Sequence, residues 1–158
     1  MKPSTKALLW LALAIALVGG VLFLALQPMP PDQTQIASQL EQARAAGERR
    51  DINGVMQIIS ENYHDSNIPS PVQLRFLLNK MMGNEDVQIN QSIPVVSVQG
   101  DSATSVSHLH IVTVPDGRVV YDHDVTMQWK REDGAKFLVV PTKVWHVVSA
   151  DYGGLGFD

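Results

Sequence analysis

The chain contains no cysteine, which excludes a disulfide framework, a thiolate nucleophile, a lipidated cysteine and any zinc site built on sulfur. It has no basic stripe either: sixteen acidic residues face twelve basic ones, and two of these, Lys2 and Lys6, stand at the very start. Nucleic acid is not an expected partner, because a binder needs clustered Lys and Arg against the phosphates. No internal repeat or low-complexity block interrupts the 158 residues apart from the glycine-rich tail. One domain plus an appendage accounts for that length, since single domains most often run about 100–150 residues.

Charge is also missing from Ala7 to Leu26, a run dominated by Leu, Ala, Val and Ile. About 20 such residues cross the roughly 30 Å of hydrocarbon in a bilayer as a helix. The run exceeds the apolar core of a signal peptide and no small-x-small cleavage site precedes Gln27, so a retained anchor is expected over a cleaved leader. Lys2 and Lys6 lie before it and Asp32 is the first charge after it. The positive-inside rule then puts the N-terminus in the cytoplasm and the rest outside a plasma (inner) membrane, periplasmic or extracytoplasmic.

Residues 1–26 are therefore read as cytoplasmic N-terminus and transmembrane helix, 27–31 as a proline-rich spacer, 32–150 as the domain and 151–158 as a flexible tail. From Asp32, Ile36, Leu40, Ala43 and Gly47 recur near the helical period. Asp51 can cap a second helix with Ile52, Val55, Met56, Ile59 and Tyr63 on its buried stripe. Ser70-Pro71 starts a third, carrying Val72, Leu74, Phe76, Leu77, Leu78 and Met81 onto the sheet, and Gly83-Asn84 can end it. A strand from Val87 to Val95 turns back at Gly100-Asp101. Pro94, unable to donate to a ladder, belongs at an edge or a bulge.

Asp116-Gly117 and Asp133-Gly134 each stand between apolar runs, the pattern of tight hairpins. Two-residue loops would set Val114 opposite Val119, His110 opposite His123, Met127 opposite Val140 and Tyr121 opposite His146. The inner face would then hold Val106, Val112, Val114, Val119, Val125, Met127, Trp129, Leu138, Val140, Val144 and Val148, together with His108, His110, His123 and His146. Ser105, Ser107, Asp122, Asp124, Thr126, Gln128 and Lys130 would face outward. A bulge at Pro141 would decide the facing of Thr142 to Val148.

Two helices, a polar break, a third helix and a bent antiparallel meander resemble the nuclear transport factor 2-like superfamily. The likeness rests on Ala45-Ala46-Gly47-Glu48-Arg49-Arg50-Asp51-Ile52 leading into Ser60-Glu61-Asn62-Tyr63-His64-Asp65, and on Met127-Gln128-Trp129-Lys130-Arg131-Glu132-Asp133-Gly134. It covers Asp32 to Ala150. The resemblance implies an α+β cone domain, three helices on a curved antiparallel sheet of about four long strands, here behind one N-terminal transmembrane helix. Such folds close a pocket between sheet and helices, and catalytic members place an Asp, Tyr or His in it. Function varies widely across the superfamily.

The pocket residues expected on these grounds are His108, His110, Tyr121, His123, Met127, Trp129 and His146. Catalytic candidates are His110, His123, Tyr121 and His146 on the sheet, and Tyr63, His64 and Asp65 after the second helix. A neutral histidine on an apolar face is ordinary core, so the His110–His123 pair is read as buried, uncharged and destabilised by acid. No metal or cofactor is assigned, since two imidazoles without a carboxylate make a weak site. Trp145, Val147 and Phe137 are expected on the outer sheet face as a contact patch, with Tyr152 and Phe157 of the tail as further anchors.

The favoured function is a membrane-anchored extracytoplasmic association module, a non-catalytic accessory or assembly subunit of a membrane complex. Its partners would be the bilayer through residues 7–26 and other subunits of that complex or copies of itself. Two alternatives stand: a small-molecule isomerase, dehydratase or cyclase using a pocket histidine, and a ligand- or metal-binding sensor domain.

Overall fold

The computed structural model describes residues 14–20, 23, 29–81, 86–136 and 140–153. Residues 14–20 are helical and exposed. Most of the apolar run lies outside the described residues, and among those described no helix is long and apolar enough to cross a membrane.

Helix α1 (Asp32–Glu48) buries Ile36, Leu40, Ala46 and Gly47. It ends in a left-handed residue, Arg50 at φ 57. The Arg50 amide donates to Gly47 O at 2.9 Å and the Asp51 amide to Ala46 O at 2.8 Å, which satisfies two of the carbonyls that a helix end leaves open. Asp51 then caps α2 (Ile52–Met56), its Oδ1 accepting from the Gly54 amide at 2.9 Å. This helix is one turn long, shorter than the stripe to Tyr63 implies. The chain leaves it to run beside the sheet: Val147 N donates to Ile58 O, Ser60 N to Val147 O and His64 N to Val148 O.

Ser70 and Pro71 begin α3 (Pro71–Met81) as expected, with the Gln73 amide on Ser70 Oγ. Gly83-Asn84 lies outside the described residues. Helix α3 packs on α2 and buries only Leu74. Val72 and Phe76 stand 76% and 71% exposed, so of the expected apolar residues Leu74, Leu77 and Leu78 pack on the core while these two point to solvent.

The sheet is antiparallel. Its strands are β1 (Asp86–Gln91), β2 (Val95–Gln99), β3 (Ser102–Val114), β4 (Val119–Lys136) and β5 (Val140–Asp151), in order β1-β3-β4-β5 with β2 also on β3. β1 and β2 occupy the same edge of β3 and are split at Ser92–Pro94, where Ser92 still donates to His108 O. The edge position removes the need for the donor that Pro94 lacks. Gly100, at φ 62, makes the tight turn from β2 to β3.

Two register corrections follow. At the first hairpin Thr113 and Arg118 close a loop of Val114 to Gly117, with Gly117 N bonded back to Thr113 O. Val112 consequently faces Val119 rather than Val114 doing so. That slip of two preserves the faces. The next step does not: Ile111 faces Tyr121, which leaves Val120 as an extra residue. A one-residue bulge exchanges the faces of one strand relative to the other. In β3, Ala103, Ser105, Ser107 and Thr113 are therefore buried while Val106 and Val114 are exposed. His110 lies opposite Asp122, not His123.

At the second hairpin both strands continue through Asp133 and Gly134, which pair with Lys143 and Thr142. Residues 137–139, between the two strands, lie outside the described residues. Pro141 pairs in register with Ala135, and the bulge is instead at Val148, between the Gln128–Ser149 and Trp129–Val147 pairs. Trp145 and Val147 lie before that bulge, opposite Arg131 and Trp129 in the register that opens at Lys136–Val140, and they face the helices, each 1% exposed.

Ile36 and Leu40 of α1 meet Trp129, Trp145, Val147, Ala103 and Ala150 of the sheet, with Tyr63, Ile68 and Leu74 closing the side. Two inner hydroxyls are satisfied locally: Trp129 Nε1 donates to Ser105 Oγ at 2.8 Å, and Gln91 to Ser107 Oγ at 3.0 Å. These bonds explain how two serines occupy inner positions.

Candidate functional site

The chain has three tyrosines, and all three meet at one end of the core. Tyr121 reaches inward from β4, Tyr63 comes from the segment after α2, and Tyr152 directly follows β5. Tyr63 donates its hydroxyl proton to Asp65 Oδ2. The two phenol oxygens of Tyr63 and Tyr152 are 2.7 Å apart. A phenol carries one proton, and that of Tyr63 is already given to Asp65, so Tyr152 must be the donor to Tyr63. Tyr121 in turn donates to the carbonyl of Tyr152. The other oxygen of Asp65 accepts from the amides of Asn67 and Ile68 at 2.7 and 2.6 Å, which fixes the bend that leads into α3.

Burial dominates the acidity of this cluster. It raises Tyr63 well above the ordinary phenol range, with the bond to Asp65 adding to the effect. Burial likewise leaves Tyr152 pushed up to about 12. Tyr121 is raised by burial and then by the charges of Asp151 and Asp124. The phenolate is disfavoured because burial strips its solvation and the Asp65 carboxylate lies beside it.

A second cluster lies on the opposite face of the sheet. His108 and His110 project outward from β3, where Asp124 and Asp122 stand opposite them on β4. His108 Nδ1 is 2.9 Å from Asp124 Oδ1, and its Nε2 is 2.8 Å from Asp122 Oδ1. His110 Nδ1 reaches the same Asp122 oxygen at 3.2 Å. The bond to Asp124, followed by that to Asp122, holds His108 above the ordinary imidazole range. His108 and then His110 hold Asp122 below the usual carboxylate range.

A third group spans β4 and β5. Ser60 Oγ donates to Glu132 Oε1 at 2.6 Å, and Glu132 Oε2 lies 3.0 Å from His146 Nδ1, although that buried nitrogen is not aligned for a formed hydrogen bond. Glu132 separates the serine from the imidazole, so the hydroxyl contacts a carboxylate and not the histidine of a serine–histidine pair.

Of the pocket residues expected from sequence, Tyr121, Met127 and Trp129 face the core, and Tyr121 and Trp129 are buried there. His123 shares their side of β4, its ring 5.4 Å from that of Tyr121, and is exposed. His108 and His110 are on the outer face because of the Val120 bulge, and His146 pairs with Lys130 rather than Tyr121. Of the three residues after α2, Tyr63 and Asp65 are buried and His64 is exposed beside Pro69 O. Trp145 and Val147 are core rather than contact surface. Tyr152 is held in the core instead of fraying, and Phe137 and Phe157 lie outside the described residues.

Sequence reasoning left out Asp122 and Asp124 as solvated and did not join Ser60 to Glu132. The signal for the first was the matched spacing of His108-Leu109-His110 and Asp122-His123-Asp124, two residues apart on each strand. For Tyr152 it was the alternation that resumes from Ala150.

A layer of helices against a curled antiparallel sheet, with the core between them, is the cone fold of nuclear transport factor 2-like and cystatin-like proteins. The chain is similar in structure to a nuclear transport factor 2-like superfamily protein from Salmonella enterica, with a TM-score of 0.60 and 14% identity over 80% of this chain and 96% of that one. A nuclear transport factor 2-like protein of unknown function from Pseudomonas putida gives 0.61 at 14% identity, covering 75% and 82%. A protein of unknown function with a cystatin-like fold from Nostoc punctiforme also gives 0.61 at 14% identity, covering 79% and 92%. No family model and no curated protein matches the chain. These likenesses establish the fold.

Proposed function

We propose that this chain is an exported, membrane-anchored association module, a non-catalytic accessory or assembly subunit whose domain is held near the bilayer by residues 7–26. The observation that carries the reading is the internal closure of the tyrosine cluster. Asp65 and the three phenols are bonded to one another and to backbone groups, so the groups that would perform acid–base work inside the cone stabilise its own packing. Trp129 and Trp145, each 1% exposed, fill the adjoining space.

The contact surface is moved from the sheet to α3. Val72 and Phe76 stand four residues apart on one face of that helix, and both are largely exposed. Exposed apolar side chains of this size favour a partner surface. The partner is another subunit of a membrane complex or a second copy.

The test is fractionation of cells producing the full chain, followed by protease treatment from the outer side and cross-linking in mild detergent. Recovery in the membrane, digestion of the domain from outside and a cross-linked species lost in Phe76→Glu support the proposal. A mature N-terminus near Gln27, or a domain protected from external protease, overturns the anchored and exported part. An unchanged cross-link in Phe76→Glu removes α3 as the contact.

The small-molecule isomerase, dehydratase or cyclase remains as a second reading on one observation, the exposed His123 beside Tyr121 on the inner side of β4. It requires turnover that disappears in His123→Gln.

A further inference from the structure

Alternation along two paired strands sets four potential ligand residues on the exposed face of the sheet, independently of whether the domain associates. Asp122 Oδ1 lies 2.8 Å from His108 Nε2 and 3.2 Å from His110 Nδ1. Donor atoms bound at about 2.0–2.1 Å to one tetrahedral zinc ion stand roughly 3.3 Å from one another. The carboxylate oxygen is therefore already near the ligand spacing from each of the two nitrogens. Asp124 occupies a different role. Its Oδ1 is 2.9 Å from His108 Nδ1, where a carboxylate fixes the tautomer and ring orientation of a metal-ligating histidine.

Among the described residues no group of three or more such side chains is placed so that it could hold a metal ion as it stands. The present contacts are imidazole–carboxylate hydrogen bonds, so a metal site requires these side chains to turn apart. The four side chains are 38% to 73% exposed, so rotation about their own bonds can open the set without moving the strands. Nearby on this face are Gln88, Asn90 and Ser92 on one side, and Thr126 with Asp151 on the other. The added charge among them is a further carboxylate, which favours a cation.

We propose that His108, His110 and Asp122 bind a divalent transition-metal ion on the outer sheet face, with Asp124 positioning His108 and a solvent molecule completing a tetrahedral shell. Two imidazoles and one carboxylate select zinc and its neighbours over calcium or magnesium, which prefer all-oxygen sets. The ion displaces the protons on His108 Nε2 and His110 Nδ1, so acid competes with it.

The experiment uses the untagged full chain in detergent, stripped with chelator and titrated with zinc chloride by calorimetry at about pH 7.5, above the ordinary imidazole value. One equivalent is expected to bind in the micromolar range, and proton release should appear as a dependence of the heat on buffer. His108→Gln and Asp122→Asn should abolish that binding, Asp124→Asn should weaken it about tenfold, and His64→Gln should leave it unchanged. Cobalt substituted for zinc should give the visible absorption of a tetrahedral complex. Circular dichroism checks that each variant is folded. Absence of saturable binding in the folded parent, or equal binding in folded His108→Gln and Asp122→Asn, overturns the site. Loss in His64→Gln alone places the ion elsewhere and overturns it equally.

Discussion

Trp145 donates its indole Nε1–H to Asp32 Oδ1 at 3.1 Å, joining the last strand to the first residue of α1. Arg131 completes the joint, with a 2.5 Å ion pair to the same carboxylate oxygen and its guanidinium 4.7 Å from the centre of the Trp145 ring. The helix thus starts on the sheet, where the spacer from the proposed anchor ends. Asp32→Ala leaves a buried indole donor and a partly buried cation without this partner and should cost about 1–2 kcal/mol. Trp145→Ala should cost about 3–5 kcal/mol, as for other buried large aromatics. Urea denaturation measures both, and a Trp145→Ala midpoint equal to that of the parent would contradict its place in the core.

The tyrosine cluster predicts how the fold responds to alkali. Tyr63, Tyr121 and Tyr152 have raised folded-state values, chiefly through burial. Their unfolded value is about 10. The folded state therefore binds more protons than the unfolded state above that pH. The stabilising contribution is complete below about pH 10 and declines as pH rises from there toward the folded value, about 12 for Tyr152. Because the chain has no other tyrosine, phenolate absorbance reports this cluster alone. Ionisation should coincide with loss of the far-ultraviolet circular dichroism. Phenolate appearing at about pH 10 with the dichroism intact would show that the cluster is open.

How far the sequence discloses these arrangements depends on whether local chemistry decides them. The Asp51 and Ser70 caps, the Gly100 turn and the edge placement around Pro94 are legible because each follows from one residue's own donors or dihedral limits. The inner and outer faces of β3 are not. They depend on the unpaired Val120, and a valine carries no sign that it will bulge. Trp145 faces inward for a different reason, the opening of the β4–β5 ladder at Lys136–Val140. Asp133-Gly134 has the composition of a tight turn, yet the long β4–β5 ladder absorbs it. The fold class survives these slips because the meander order is unaffected. The site does not, since each bulge moves a whole set of side chains through the sheet.

Close approach of α1 and α2 makes Gly54 a further test. A Cβ built there would stand 2.8 Å from Ala46 Cβ and 2.6 Å from Asp51 Oδ2. The first contact forces the helices apart, and the second disturbs the carboxylate that caps α2. Gly54→Ala should therefore destabilise by about 1–3 kcal/mol, despite alanine's better helix propensity. Thermal melting decides the sign, and a higher melting temperature would show that the two helices can separate without cost.

Helix α3 separates stability from association. Leu74 is its one buried residue, and Leu74→Ala should cost about 2–5 kcal/mol by removing apolar contacts and leaving a cavity. Val72 and Phe76 are mostly solvated already, so Val72→Ser and Phe76→Glu should change stability by no more than about 0.5 kcal/mol. Their effect should appear in assembly, because a glutamate at the centre of an apolar contact is desolvated without a partner. The decisive comparison is the urea midpoint of the isolated full chain against its cross-linking yield in detergent. A parent midpoint with reduced yield is expected for Phe76→Glu. A lowered midpoint with unchanged yield would assign Phe76 to folding and leave the contact face elsewhere.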